Sequence, residues 1–132
     1  MAIIVDTNII LDVLTDHPKW AEWSIDKLDE YFENGLIITP AVYAELCFGY
    51  DQVSEVDQLV RDFGLLYKET NRIGLFYAAK AFKNYKSKGG GKDFVLPDFF
   101  IGGHAQATGL SILTRDIQRY KTYFPKVQLV TP

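Results

Sequence analysis

The sequence predicts a single α/β domain with a central, mostly parallel sheet of strands flanked by helices. Three observations carry this reading. Short apolar runs of strand length alternate along the chain with longer segments at helical spacing. The runs are apolar throughout, as strands covered on both faces are. The chain has 132 residues, 48% of them hydrophobic, enough to bury one core without disulfides or a structural metal.

Taken in order, Ala2 to Val5 reads as a buried first strand. Asp6-Thr7-Asn8 interrupts it, and Thr7 or Asn8 is placed to cap a helix carrying Ile10, Val13 and Leu14. Asp16-His17-Pro18 opens a second helix, with Pro at its first position, running to about Phe32 and stopping at Asn34-Gly35. Leu36 to Ile38 is the second strand, and Thr39-Pro40 opens a helix through Glu45 and Leu46 to Gly49. Val53, Val56, Leu59, Val60 and Phe63 fall at helical spacing until Gly64.

A longer helix follows Thr70, with Leu75, Ala78, Ala79, Phe82 and Tyr85 on its inward face. Ser87-Lys88-Gly89-Gly90-Gly91-Lys92 reads as a loop inside the domain, because patterning resumes at Phe94. Pro97-Asp98 opens a helix that ends at Gly109. Ser111 to Leu113 is a strand stopped by Thr114-Arg115-Asp116, and Val127 to Val130 is the last strand.

No apolar run approaches the ~20 residues that span a bilayer, and the acidic, short N-terminus does not read as a signal peptide. The lone cysteine, Cys47, has no internal partner, so a reducing cytoplasm is the expected location. Net charge is -3, but it is unevenly distributed. Residues 1–70 hold 14 acids and 4 bases, whereas residues 71–132 hold 3 acids and 10 bases. Such a split suits a polyanion at the basic part, or equally two solvated faces of opposite sign. Lys80, Lys83, Lys86, Lys88, Lys92 and Arg115 are the candidate contacts to a nucleic-acid backbone. Asp26, Asp29, Glu30 and Glu33 give the second helix an acidic face where a basic partner segment would dock.

Four acids fall where the strands of a parallel sheet end, which is where such sheets carry their functional crevice. Asp6 follows the first strand, and Glu45 lies on the helix after the second. Asp98 opens a helix after Phe94-Val95-Leu96-Pro97, and Asp116 follows Ser111-Ile112-Leu113. Each has a plainer reading alone: an Asx turn for Asp6, N-caps for Asp98 and Asp116, a partly exposed helical acid for Glu45. Together they repel one another and lose hydration, and a divalent cation offsets both costs. Oxygen donors without nearby Cys or His favour Mg²⁺ or Mn²⁺ over zinc. The chemistry such a site suits is phosphodiester hydrolysis. No Gly-x-Ser-x-Gly elbow is present, and His17 and His104 lie far apart, His104 reading as a packed or hydrogen-bonded helical residue.

These residues also carry a resemblance. Asp6-Thr7-Asn8 after an apolar strand, Ala44-Glu45-Leu46, Pro97-Asp98-Phe99-Phe100-Ile101-Gly102-Gly103-His104-Ala105 and Thr114-Arg115-Asp116 resemble, in order, the successive motifs of PIN domains. Tyr120-x-x-Tyr123-Phe124-Pro125 with a final strand resembles the tail of one PIN subgroup. The resemblance spans residues 1–132. It implies a five-stranded parallel sheet and metal-binding or catalytic roles for Asp6, Glu45, Asp98 and Asp116, with Asn8 and Thr114 supporting. Free-standing chains of this length are similar to VapC-type toxins, which implies an Mg²⁺- or Mn²⁺-dependent ribonuclease that dimerises and is silenced by a small antitoxin.

Alternatives are a housekeeping RNA-processing nuclease and a non-catalytic RNA-binding module, although the latter would be expected to lack one of the acids. An aspartyl phosphatase needs a second Asp where Asn8 stands, and a receiver domain needs an adjacent acidic pair that is absent.

Overall fold

A computed structural model describes residues 1–132. The chain runs β1 (Ile3–Val5), α1 (Thr7–Leu14), α2 (Ala21–Tyr31), a 3₁₀ turn (Phe32–Asn34), β2 (Leu36–Ile38), α3 (Pro40–Cys47) and α4 (Val53–Asp62). It continues through β3 (Leu65–Tyr67), α5 (Arg72–Ser87), α6 (Pro97–Thr108), β4 (Ser111–Leu113), α7 (Gln118–Tyr123) and β5 (Leu129–Val130). The five strands form one sheet in the order β3-β2-β1-β4-β5. Every pairing is parallel, with Ile4 opposite Ile37 on one side and Ile112 on the other. Parallel strands need crossovers, and the helices that supply them cover both faces of the sheet. This is why β1, β2 and most of β4 are buried without alternation. Strand order reverses between β1 and β4, so the ligand crevice of an open α/β sheet is expected at their carboxyl ends. No helix is long and apolar enough to cross a membrane.

Several expectations are corrected in detail. Asp6, and neither Thr7 nor Asn8, is the N-cap of α1, its side chain accepting from the Thr7 amide. The second helix starts at Ala21 and not at Pro18. Asp16 takes a left-handed conformation (φ 50°), and His17 Nδ1 accepts from the Lys19 and Trp20 amides, tying Asp16–Trp20 into a turn. Two elements lie outside what the residue pattern predicts: edge strand β3 and the short helix α7. The last strand is only Leu129–Val130.

The inward face of α5 also differs. Gly74, Ala78 and Ala81 are its buried residues, while Leu75 and Ala79 are exposed. The reason is a close approach between α5 and α6. A Cβ at Gly103 would collide with the Gly74 carbonyl and crowd the Ala78 amide, so the helix backbones nearly touch and admit only small side chains. Phe82 and Tyr85 of α5 then join Phe99 of α6 and Tyr123 of α7 in an aromatic cluster, with ring centroids 5.5–5.9 Å apart. That cluster fixes the start of α6, and with it Asp98, against α7.

Candidate active site

Asp6 sits at the carboxyl end of central strand β1 and is almost fully buried. Its Oδ1 accepts from the Thr7 amide at 2.8 Å. Its Oδ2 accepts from Thr114 Oγ1 at 2.7 Å, Tyr120 OH at 3.0 Å and Asn8 Nδ2 at 3.4 Å. Burial pushes the Asp6 carboxyl up from its ordinary value; the bonds from Thr114, Tyr120 and Thr7 oppose this, and the Asp116 charge adds to it. Burial, with Asp6 alongside, holds the Tyr120 phenol well above its ordinary value, so it remains a donor.

Asn8 and Thr114 tie the two central strand ends together. Asn8 Nδ2 lies 3.3 Å from Thr114 Oγ1, and Asn8 Oδ1 accepts from the Arg115 amide at 3.2 Å. Thr114 Oγ1 accepts in turn from the Asp116 amide at 2.9 Å. The Asp116 side chain is exposed and makes no hydrogen bond to the protein.

Glu45 projects from α3, whose start is set by Thr39 at the N-cap and Pro40 in the first turn. Its Oε1 accepts from Thr7 Oγ1 at 2.7 Å. Burial raises its carboxyl, the Thr7 bond lowers it, and the Asp6 charge raises it. Asp98 lies in the first turn of α6. Burial first, then the charges of Asp6 and Asp116, push its carboxyl up to about 6, against the opposing charge of Arg119. Arg119 Nη1 is 3.4 Å from Asp98 Oδ2, and its guanidinium lies over the rings of Tyr85 and Phe99.

The four acids predicted from the sequence therefore gather at the end of the sheet, near enough for the charge of one to raise the carboxyl of another. No three of them close into a ligand shell around one point. Like-charged carboxylates repel, and hard oxygen donors drawn from four different elements suit a hard divalent cation by kind and by location. Beside Glu45 opens a groove of about 460 Å³ walled by Leu11, Leu14, Leu46, Phe48 and Tyr50.

Sequence reasoning missed Thr7, Tyr120 and Arg119, which touch the acids directly. Thr7 stood in the Asp6-Thr7-Asn8 motif and Tyr120 in the terminal aromatic pattern, each without a role at the acids, and Arg119 carried no signal. Lys80, Lys83, Lys86, Lys88 and Lys92 are all exposed. Lys80 lies over Phe76, Lys88 over Tyr123, and Lys86 is 3.6 Å from Asp93. The Arg115 guanidinium, expected beside a phosphate, instead grips Asp12 with two bonds of 2.7 Å. His104 is buried and shares a 2.8 Å hydrogen bond with Thr70, with burial lowering its pKa.

A five-stranded parallel α/β sheet with a buried aspartate at its central strand end and three further acids around it defines an open α/β protein with an acidic crevice at its topological switch point. The chain belongs to the PIN domain family, whose sequence profile matches residues 3–125. No curated protein sequence matches it. Among solved structures it is similar to VapBC2 from Rickettsia felis bound to a DNA fragment from their promoter, with TM-score 0.77 and 22% identity over 100% of this chain and 99% of that one. It is also similar to VapBC-1 from nontypeable Haemophilus influenzae, with TM-score 0.73 and 19% identity over 99% and 98%. A toxin–antitoxin complex from Klebsiella pneumoniae aligns with TM-score 0.66 and 19% identity over 98% and 97%.

Proposed function

We propose that this PIN domain is a Mg²⁺- or Mn²⁺-dependent ribonuclease, the toxin of a type II toxin–antitoxin pair, acting in the cytoplasm as a homodimer. The observation that carries the reading is the convergence of Asp6, Glu45, Asp98 and Asp116, with the Asp98 carboxyl pushed up to about 6 by burial and by its neighbours' charge. Such a site is costly unless a cation offsets the charge. These four would hold the ion, which when bound stabilises charge on a phosphoryl oxygen and activates water. Thr114 and Tyr120 hold Asp6 in one rotamer, Thr7 orients Glu45, and Asn8 joins the loops that carry Asp6 and Asp116. Exposed lysines on and after α5 would bind the RNA backbone without reading sequence.

The antitoxin is inferred from the toxin–antitoxin complexes this fold resembles and from the apolar groove beside Glu45, which suits an amphipathic segment. A basic residue at that segment's end would reach the acids, and the exposed acids of α2 offer a second contact for a basic partner.

Two assays test this. Purified protein should cleave RNA with Mn²⁺, stop with EDTA, and lose about 100-fold or more of its rate in Asp6→Asn at unchanged fold. Induced expression should arrest growth, and co-expression of a small neighbouring gene should relieve the arrest. Wild-type cleavage by Asp6→Asn under limiting metal would overturn the site. Growth unaffected by the active nuclease would overturn the toxin role alone.

A further inference from the structure

The four acids are not held alike. Asp6 accepts several side-chain and backbone bonds, Glu45 is tied by Thr7, and Asp98 is paired with Arg119. The Asp116 side chain has no protein partner, so its place is set only through the backbone that carries it. That backbone is anchored at Arg115, whose Nε donates to Asp12 Oδ2 and whose Nη2 donates to Asp12 Oδ1, both at 2.7 Å. Asp12 is 2% exposed, on α1, and its Oδ2 also accepts from Ser24 of α2 at 2.8 Å. The guanidinium carbon lies over the ring of Trp20, 5.4 Å from its centroid, just before α2. Burial pushes the Asp12 carboxyl up, but the bonds from Arg115 and Ser24 outweigh it and hold it below its ordinary value. The pair is therefore a fully charged, bidentate clamp in fixed geometry.

We propose that Asp12, Arg115 and Ser24 form a latch that sets the position of Asp116 in the metal site, with Asp12 and Arg115 as positioning residues. The proposal rests on the metal-site reading above. The latch crosses from α1 and α2 to the loop after β4, a sequence separation of 103 residues between Asp12 and Arg115. Without it the Arg115 and Asp116 amides keep only the Asn8 and Thr114 side-chain bonds, and Asp116 wanders on a longer tether.

The test uses the full chain, with the double variant Asp12→Asn/Arg115→Gln as its centre. That variant removes one negative and one positive charge together, so the net charge is unchanged and no uncompensated buried charge remains. Arg115→Lys, which keeps the charge but not the fork, serves as a second variant should the double fail to fold. Two readouts are taken: amide hydrogen exchange at Arg115–Ile117 in metal-free protein, and Mn²⁺ affinity by calorimetry. The latch predicts exchange about tenfold faster and Mn²⁺ binding about tenfold weaker in the double variant, with a smaller change in Arg115→Lys. Wild-type exchange or wild-type Mn²⁺ affinity in the folded variants overturns it. Should wild-type protein itself take up no Mn²⁺, the nuclease reading falls, and the exchange arm alone decides the latch.

Discussion

At Asp98 the charge state and the fold oppose each other. Its folded pKa of about 6 stands above its ordinary 3.8. Between those values the folded protein holds a proton that the unfolded chain has released. Metal-free stability from this group is therefore complete below the lower value and lost as pH rises through the upper one. Asp98→Asn removes the penalty. In EDTA at pH 7.5 its melting temperature should exceed wild type by about 3–6 °C, from about 1–2 kcal/mol after solvent screening. Near pH 4 the gap should have almost closed, and one that persists there would assign the shift elsewhere. Protons and metal compete for the same oxygen, so Mn²⁺ uptake should fall steeply as pH drops below about 6. Tyr120→Phe removes a donor from the buried Asp6 carboxylate and should move uptake to higher pH. The four acids are legible in the sequence because each follows a strand or sits in the opening turns of a helix. Tyr120 and Arg119 are not, because what gives them a role is a partner brought close only by the fold, 114 and 21 residues away.

At the level of elements, the α5–α6 contact makes the sharpest prediction. Alanine at Gly103 gains up to ~1 kcal/mol of helix propensity. Its methyl would also meet the Gly74 carbonyl and the Ala78 amide, both backbone groups that cannot rotate away. Overpacking of this kind costs about 1–3 kcal/mol. Gly103→Ala should thus lower the urea midpoint with an unchanged slope, and a raised midpoint would mean that the helices separate freely. The same contact explains why the buried face of α5 departs from the one its spacing predicts. Hydrophobic spacing points to the larger side chain of Leu75, whereas a close backbone crossing selects the small Gly74, Ala78 and Ala81. Helices α3 and α6 are readable from Pro40, Pro97 and Gly109 at their ends. Strand β3 is not, since two of its three residues are exposed at the sheet edge. Helix α7 has no side-chain cap, and Tyr120 is its only buried residue.

For the whole molecule, if the ribonuclease proposal holds, the uneven charge sets how RNA would be gripped. Lys80 and Lys83 are exposed on α5, with Lys88 and Lys92 in the basic loop that follows. Lys80→Ala/Lys83→Ala should weaken binding about equally for all RNA sequences. The log–log salt dependence should flatten by about 0.7 for each single-strand phosphate that is no longer neutralised, with Mn²⁺ affinity unchanged. An unaltered salt series would leave these lysines as solubilising charge. Strand order has a further consequence for synthesis. Strand β1 (Ile3–Val5) lies at the centre of the sheet, and its neighbour β4 does not begin until Ser111. The bonds that orient Asp6 come from Thr114 and Tyr120, across separations of 108 and 114 residues. A nascent chain still short of Thr114 holds Asp6, Glu45 and Asp98 but neither of the hydroxyl donors to Asp6 nor the fourth acid. On the nuclease proposal, a ribosome-bound chain should therefore show no cleavage until Thr114, Asp116 and Tyr120 have all been added, which staging the chain at successive lengths would check.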